Sequence, residues 1–214
     1  GRWGEQVPVD RRKLCDALSL VATFYQFRRA LYGPAVEMFE RVLTMTRGDL
    51  GEEHADTLTA MNNLALALSD LGIPERAREL QEKVLAVSRR TRGEEDPDTL
   101  IAMNNLAWTL AREGKLSGAR RLEEQALAVS RRILGQEHAG TLTVMNGLAA
   151  TLAARGELGS AREMLEQVIK ASRRLFGEEH PHTLQTMGGL ARTLMSLGDA
   201  SAAHRFRTQA LPAT

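Results

Sequence analysis

The fold of this chain is decided by residues 51–72, which read GEEHADTLTAMNNLALALSDLG. The opening Gly-Glu-Glu-His returns with small changes every 42 residues, at Gly93, Gly135 and Gly177. The glycine that closes the stretch returns in the same register at Gly114, Gly156 and Gly198. Internal similarity at a fixed period of this length is typical of repeat proteins, so the chain is predicted to be an array of like units.

Each unit is predicted to contain two helices. Apolar residues from Leu58 to Leu71 follow the i, i+3, i+4, i+7 spacing of one helical face, and Gly72 then stands where a left-handed residue ends a helix. A second helix is predicted from Pro74 to Arg90, where an arginine pair suits the negative end of the helix dipole. Only 4% of the residues are aromatic, so leucine, methionine and alanine have to build a core that neighbouring units share.

A fifth and more divergent unit is predicted at the N-terminus. At an offset of 44 residues, the core positions of the deciding stretch are matched by Leu14, Leu20, Val21, Phe24 and Phe27. Its second helix matches at an offset of 42, so two extra residues are expected in the turn between Arg28 and Gly33. The predicted boundaries are a flexible leader at 1–9 and a solenoid at 10–214, with repeats at about 11–47, 55–92, 97–134, 139–176 and 181–212. Because Gly1 stands where a methionine would start the chain, we expect a fragment of a longer protein.

The composition is that of a globular, water-soluble chain. Hydrophobic residues make up 43% and charged residues 26%, which supplies a buried core and argues against disorder. The net charge of +1 gives no reason to expect nucleic acid or a membrane as a partner. No apolar run approaches the roughly 18 residues of a membrane span and no signal segment is recognised, so we expect a cytoplasmic protein.

The paired helices with small residues at fixed positions resemble the tetratricopeptide repeat. The 42-residue period, Met-Asn-Asn-Leu-Ala at 61–65 and 103–107, and Gly-Glu-Glu-His at 51–54 and 177–180 are similar to the kinesin light chain type. Bacterial regulatory proteins also carry such arrays. The resemblance covers about residues 11–211 and implies an all-α fold, a right-handed α-solenoid of five antiparallel helix pairs. It also implies a non-enzymatic scaffold that binds a protein or peptide along a concave groove lined by the first helix of each pair.

A second stripe on each first helix is the predicted partner-binding surface, because it varies from copy to copy while the core stripe does not. In the deciding stretch it consists of Asn62, Leu66 and Ser69, rotated off the core stripe that contains Met61. In the first copy it is assigned to Leu18, Ala22 and Tyr25. The predicted binding residues are Asn62, Leu66, Asn104, Trp108, Arg112, Asn146 and Arg192. An amide offers the donor and the acceptor that an extended peptide needs, and tryptophan is a common interface anchor.

Simpler explanations of these residues remain open at this point. The asparagines would also serve by tying neighbouring helices together, and Trp108 by packing between adjacent first helices. Arg112 and Arg192 would either pair with acidic ligand side chains or stay solvated. Two other functions remain as alternatives: self-assembly or an intramolecular scaffold within a larger regulatory protein, and nucleic-acid binding through the arginine pairs. The second is weaker, because those arginines are expected to complement helix dipoles and to form ion pairs between repeats.

The sequence contains no catalytic or metal-binding constellation. His54, His138 and His180 recur at one position, but equivalent residues of stacked helices lie roughly 10 Å apart. Zinc needs ligands at about 2 Å. Cys15 is the only cysteine and has no fixed histidine or aspartate companion, which argues against a catalytic thiol and excludes an internal disulfide. We therefore expect no enzyme activity, no cofactor and no bound metal.

Overall fold

The computed structural model describes residues 11–29 and 31–210, and the regular elements in these ranges are all α-helices. The first helices of the five pairs are α1 (Arg11–Arg29), α3 (Ala55–Asp70), α5 (Pro97–Arg112), α7 (Ala139–Ala154) and α9 (Pro181–Ser196). The second helices are α2 (Tyr32–Leu50), α4 (Pro74–Arg92), α6 (Leu116–Ile133), α8 (Leu158–Phe176) and α10 (Ala200–Ala210). The predicted all-α solenoid class with five helix pairs is confirmed. The predicted leader at 1–9 and the last residues of the fifth repeat lie outside the described residues.

The chain divides into two compact units, Gly1–Thr91 and Arg92–Thr214. In the first unit, α2 packs against both α1 and α3. In the second unit, each helix from α5 to α10 packs against the next one along the chain. The first helices of that unit also meet directly, because α7 contacts both α5 and α9. The second unit therefore presents α5, α7 and α9 side by side.

The first helices end at the glycines that the sequence predicted. Gly72 has a φ of +88°, a conformation that glycine adopts without a steric penalty. Its N–H donates to the Ser69 carbonyl at 3.1 Å, and the next N–H, of Ile73, donates to the Leu68 carbonyl at 2.9 Å. This pair of bonds is a Schellman motif. The same positive φ recurs at Gly114, Gly156 and Gly198.

The recurring histidine position is a helix N-cap. The Nδ1 atom of His54 accepts a hydrogen bond from the backbone N–H of Asp56 at 3.2 Å, at the start of α3. His138 and His180 cap α7 and α9 in the same way. Asp96 takes the place of histidine before α5 because its carboxylate provides the same acceptor, at 2.9 Å from the Asp98 nitrogen. Within the described ranges, no group of three His, Cys, Asp or Glu residues is arranged to hold a metal ion.

The core follows the predicted methionine and alanine positions. The four methionines of the period, Met61, Met103, Met145 and Met187, are almost fully buried, as are the alanines four residues later. In the second unit, Leu190 is fully buried in a cluster that joins α9 to residues of α7, α8 and α10. None of the described helices combines the length and apolarity required to cross a bilayer.

The buried face of α1 differs from the prediction. Leu14, Leu20, Val21 and Phe24, which were predicted to lie in the core, are 38–73% exposed. Ala22, which was assigned to the variable stripe, is fully buried, and Leu18 and Tyr25 beside it are half-buried. Because α1 packs mainly against α2, it buries one face only, whereas α7 packs against helices on several sides. The side chain of Phe27 lies outside the described residues.

The two extra residues of the first copy also lie elsewhere than expected. Helix α1 has 19 residues, and the first helices of the other pairs have 16. It continues through Arg28 to Arg29, and α2 already begins at Tyr32. The extra residues therefore lengthen the helix instead of the turn. Extending the helix by about one turn costs little free energy, because each added residue gains one backbone hydrogen bond.

Candidate functional site

Four of the seven predicted binding residues line one cavity in the second unit. The cavity has a volume of ≈ 550 Å³ and extends along α5, α7 and α9. Its lining includes Asn104, Trp108, Asn146 and Arg192. Because α7 contacts both of its neighbours, these side chains lie on adjacent helices. A cavity of this size lies within the range typical of ligand sites.

The Trp108 ring lies at the surface of α5 and is 40% exposed. The guanidinium carbon of Arg112, one turn further along the helix, lies 4.7 Å from the ring centroid. A cation over the face of an indole is attracted by the ring quadrupole, so Arg112 restrains Trp108. The rest of the ring remains accessible from the cavity.

The asparagines of the predicted ladder are half-buried at equivalent positions. Asn104 and Asn146 line the same cavity from α5 and α7. Asn62 and Leu66 lie on α3, in the first unit, and are also half-buried. The Oδ1 atom of Asn62 is buried without a hydrogen-bond partner among the described residues. Ser69 is fully buried, so the variable stripe of α3 ends at Leu66.

A row of cavity residues one turn earlier on the same helices was not predicted from the sequence. Thr143 on α7 and Gln185 on α9 line the cavity. The same register on α5 holds Ile101, which is 55% exposed. These residues differ between copies, as the predicted stripe does, and comparison at the 42-residue offset would have revealed them.

A buried carboxyl group lies next to this row of helices and was also missed. Glu123 on α6 is only 2% exposed, and its Oε2 atom has no hydrogen-bond partner among the described residues. Burial raises the pKa of Glu123 to about 7, and the negative charge of Glu124 raises it further. The Thr151 hydroxyl donates a hydrogen bond to the carboxyl and acts in the opposite direction, because it lowers the pKa. At offsets of 42 residues the position holds Phe39, Gln81, Leu165 and Arg207, so two of the other copies are apolar there and two are polar.

Gly147 on α7 lies close against this carboxyl, and the position has no room for a side chain unless its neighbours shift. A Cβ atom at Gly147 would lie 3.1 Å from Glu123 Oε1 and 3.2 Å from Asn104 Oδ1. The two preceding copies have Asn63 and Asn105 at this position. Two oxygen acceptors, one from α6 and one from α5, therefore converge on a helix position that has no side chain.

The arginine pairs at the ends of the second helices form ion pairs with glutamates of the loops. Arg90 bonds Glu53, Arg132 bonds Glu95 at 2.7 Å, and Arg174 bonds Glu137. These pairs join the end of a second helix to the loop that begins its own repeat. Arg173 instead bonds Glu178, in the loop that leads to the next repeat, at 2.7 Å. The predicted ion pairs between repeats are therefore accompanied by pairs within a repeat, and exposed pairs like these contribute about 0–1 kcal/mol each.

Sequence comparison finds one family along the described chain. The tetratricopeptide repeat profile matches residues 13–85, 71–132, 124–174 and 140–214. No protein with a curated description matches the chain in sequence.

Three solved structures are similar over most of the chain. A Podosopora anserina protein assigned as a kinesin light chain, with nearly identical TPR-like repeats, has a TM-score of 0.71 and 30% identity, covering 91% of this chain and 92% of that chain. BtubC (BKLC) from P. vanneervenii has a TM-score of 0.72 and 22% identity, covering 92% of this chain and 78% of that chain. The Rap conjugation gene regulator of the plasmid pLS20, solved in complex with a Phr peptide, has a TM-score of 0.77 and 13% identity. The match covers 98% of this chain and 57% of the Rap regulator.

Proposed function

Because the chain belongs to the tetratricopeptide repeat family, we propose that it is a non-enzymatic scaffold that binds an extended peptide segment of a partner protein. The observation that carries this proposal is the shared cavity of α5, α7 and α9, which Asn104, Trp108, Asn146 and Arg192 line together. The Rap regulator, which has a similar fold, was solved with a peptide, and this supports peptide binding as a use of such an array.

The spacing of the helices suits an extended ligand. Packed helices lie about 8–10 Å apart, and an extended peptide advances roughly 3.3 Å per residue. The amides of Asn104 and Asn146 would then meet the peptide backbone about every third residue. Trp108 would pack against an apolar side chain of the peptide, and Arg192 would pair with an acidic one. In the first unit, Asn62 and Leu66 hold the same register on α3, and we propose them as a binding surface of that unit.

We test this function by selecting peptides from a random twelve-residue display library on the immobilised full chain. Trp108→Ala is expected to weaken the selected peptides about thirtyfold, because a buried aromatic anchor contributes about 2 kcal/mol. Asn104→Ala is expected to weaken them about fivefold, the value of one hydrogen bond. The control is Gln125→Ala, which removes an exposed amide from α6. Fluorescence polarisation gives the affinities, and equal affinities for all three variants and the wild type would contradict the assignment.

A second candidate function, self-association, is favoured by the apolar surface of the last helix pair. Met195 is 59% exposed, and a cavity of ≈ 820 Å³ between α9 and α10 is lined by Ala191, Met195 and Ala203 among others. If this surface joins two copies, the mass from light scattering rises with concentration, and Met195→Glu keeps the chain monomeric by placing a charge on the contact. A wild-type mass that stays monomeric across the series would reject self-association and leave peptide binding untouched.

A further inference from the structure

Helices α7 and α8 together hold α9, and this contact shows how a helix is received in the second unit. Helix α9 packs against both of them. Leu165 of α8 meets Gly189 of α9, where a Cβ atom would lie 3.6 Å from Leu165 Cδ2. Ala149 of α7 and Leu165 belong to one buried cluster with Leu190 of α9. The two helices of a pair therefore form a cleft that receives a further helix.

The equivalent cleft between α9 and α10, which we call the α9–α10 cleft, has a volume of ≈ 820 Å³. Its lining includes Ala191 and Arg207, which stand 42 residues after Ala149 and Leu165. Leu165 is buried, whereas Arg207 is exposed. Met195 lines the cleft from α9 and is 59% exposed. The cleft thus offers to a further helix the positions with which α7 and α8 hold α9.

The α9–α10 cleft differs from the preceding one in its charge. Arg192 lines it from α9 and Arg207 from α10, and its lining contains no aspartate or glutamate. The preceding copy has Ala150 and Leu165 at these two positions, so both positive charges are new in the last helix pair. Within the described part of the chain, neither arginine forms an ion pair. The cleft therefore joins an apolar surface to two cations that have no acidic partner there.

These charges oppose a second copy of the chain as the occupant. Two copies related by a two-fold axis through the cleft would bring the arginines of one copy near those of the other. Helix α1 also has exposed apolar residues, among them Leu20 at 73%, but it too is basic. Its charged residues are Asp16 against Arg11, Arg12, Lys13, Arg28 and Arg29. Because like charges that face each other weaken a complex, the cleft favours an acidic occupant from another protein.

We propose that the α9–α10 cleft binds an amphipathic helix of a partner protein, with acidic residues beside the apolar face of that helix. The apolar side chains, spaced at i, i+3, i+4 and i+7, pack against Ala191 and Met195. Carboxylates at the edge of this face pair with the guanidinium groups of Arg192 and Arg207. The ligand is helical, unlike the extended peptide proposed for the Trp108 groove, and its binding does not require that groove.

The experiment is a selection from a displayed library of helices on the immobilised full chain. Each library member has 16 residues, the length of α9, and every amino acid is allowed at the positions of one face and its edges. The library therefore imposes no charge. We expect the selected helices to combine leucine, methionine or phenylalanine on that face with aspartate or glutamate at its edge. Isothermal titration calorimetry of the synthetic helices is expected to show one helix per chain.

Arg207→Glu is the decisive variant, because Arg207 and Met195 line this cleft and not the cavity at Trp108, whereas Arg192 lines both. It is expected to weaken the selected helices about tenfold or more, since a repulsion replaces an attraction. Replacing the edge glutamate of the helix by lysine is expected to restore binding to this variant. Met195→Glu is expected to weaken the helices by a similar factor, because it places a charge on the apolar contact.

The matched control is Arg205→Glu, which makes the same change of charge at an exposed residue of α10 outside the cleft lining. It is expected to change the affinity by less than about threefold, since solvent and salt screen an exposed charge. Circular dichroism checks that each variant keeps its helical content.

Every other outcome overturns the inference. Selected helices that are neutral or basic, or that bind Arg207→Glu as tightly as the wild type, contradict it. If no helix is selected and the mass from light scattering rises with concentration, a second copy covers the cleft. If no helix is selected and the mass stays monomeric, the cleft has no helical ligand. The extended-peptide groove is judged separately by Trp108→Ala with the twelve-residue peptides, so either assignment can fail alone.

Discussion

Leu190→Ala is expected to lower the free energy of unfolding of the second unit by about 2–5 kcal/mol. Leu190 is fully buried on α9, where it packs in one cluster with Leu165, Met187 and Leu194. Truncation removes its transfer free energy and leaves a cavity that the surrounding helices cannot fill completely. In a repeat array each pair contacts only its neighbours, so we expect the loss to fall mainly on α9 and α10.

Urea denaturation followed by circular dichroism measures this change, and amide hydrogen exchange locates it. The control is Leu175→Ala, on α8 in the same unit, because that leucine is about half exposed and its truncation leaves no cavity. Protection is expected to fall first in α9 and α10 of the Leu190→Ala variant. Equal losses in the two variants, or a loss spread evenly over the unit, would contradict this account of the core.

The second large effect concerns Glu123 and pH. Since burial raises its pKa from 4.5 to about 7, the folded chain binds this proton more tightly than the unfolded chain does. Between these two values the folded state holds more protons, so stability from this group is present below pH 4.5 and falls as the pH rises through 7. A shift of this size corresponds to about 3 kcal/mol.

Glu123→Gln keeps the shape of the side chain and removes the titration. We expect the variant and the wild type to be similarly stable at pH 5, and the variant to be more stable by about 3 kcal/mol at pH 8. Subtracting the two stability curves cancels the groups that titrate in both. The control is Glu163→Gln, which makes the same substitution at an exposed carboxyl on α8. A flat difference curve for Glu123→Gln would mean that its carboxyl ionises normally.

The sequence predicted the helices well wherever local chemistry repeats. Gly72 and its equivalents end the first helices because only a residue without a Cβ adopts their positive φ at little cost. Which face of α1 is buried could not be predicted in this way. Its apolar residues occupy two faces, and which face is buried depends on how α1 meets α2, as the exposed Leu20 and the buried Ala22 show.

The residues of the proposed groove could be predicted only where they lie on one helix face. Asn104 and Trp108 stand four residues apart, so periodicity alone puts them on the same side of α5. Glu123 and Gly147 belong to different helices, and their meeting depends on how α6 packs against α7. Alignment of the copies at the 42-residue offset shows only that these two positions are unusual, because Glu123 introduces a charge and Gly147 lacks the side chain of the two preceding copies.

The identical starts and ends of the first helices have a consequence for how such a gene changes in length. Joining Asp96 directly to Ala139 would remove 42 residues and still place a side-chain acceptor two residues before the N–H of Gly140, where His138 stands now. Unequal recombination at this register therefore shortens or extends the array by whole repeats without breaking a cap. Each such event also removes or adds one set of residues of the proposed groove, so under the proposed function the length of peptide that the array contacts changes by whole repeats.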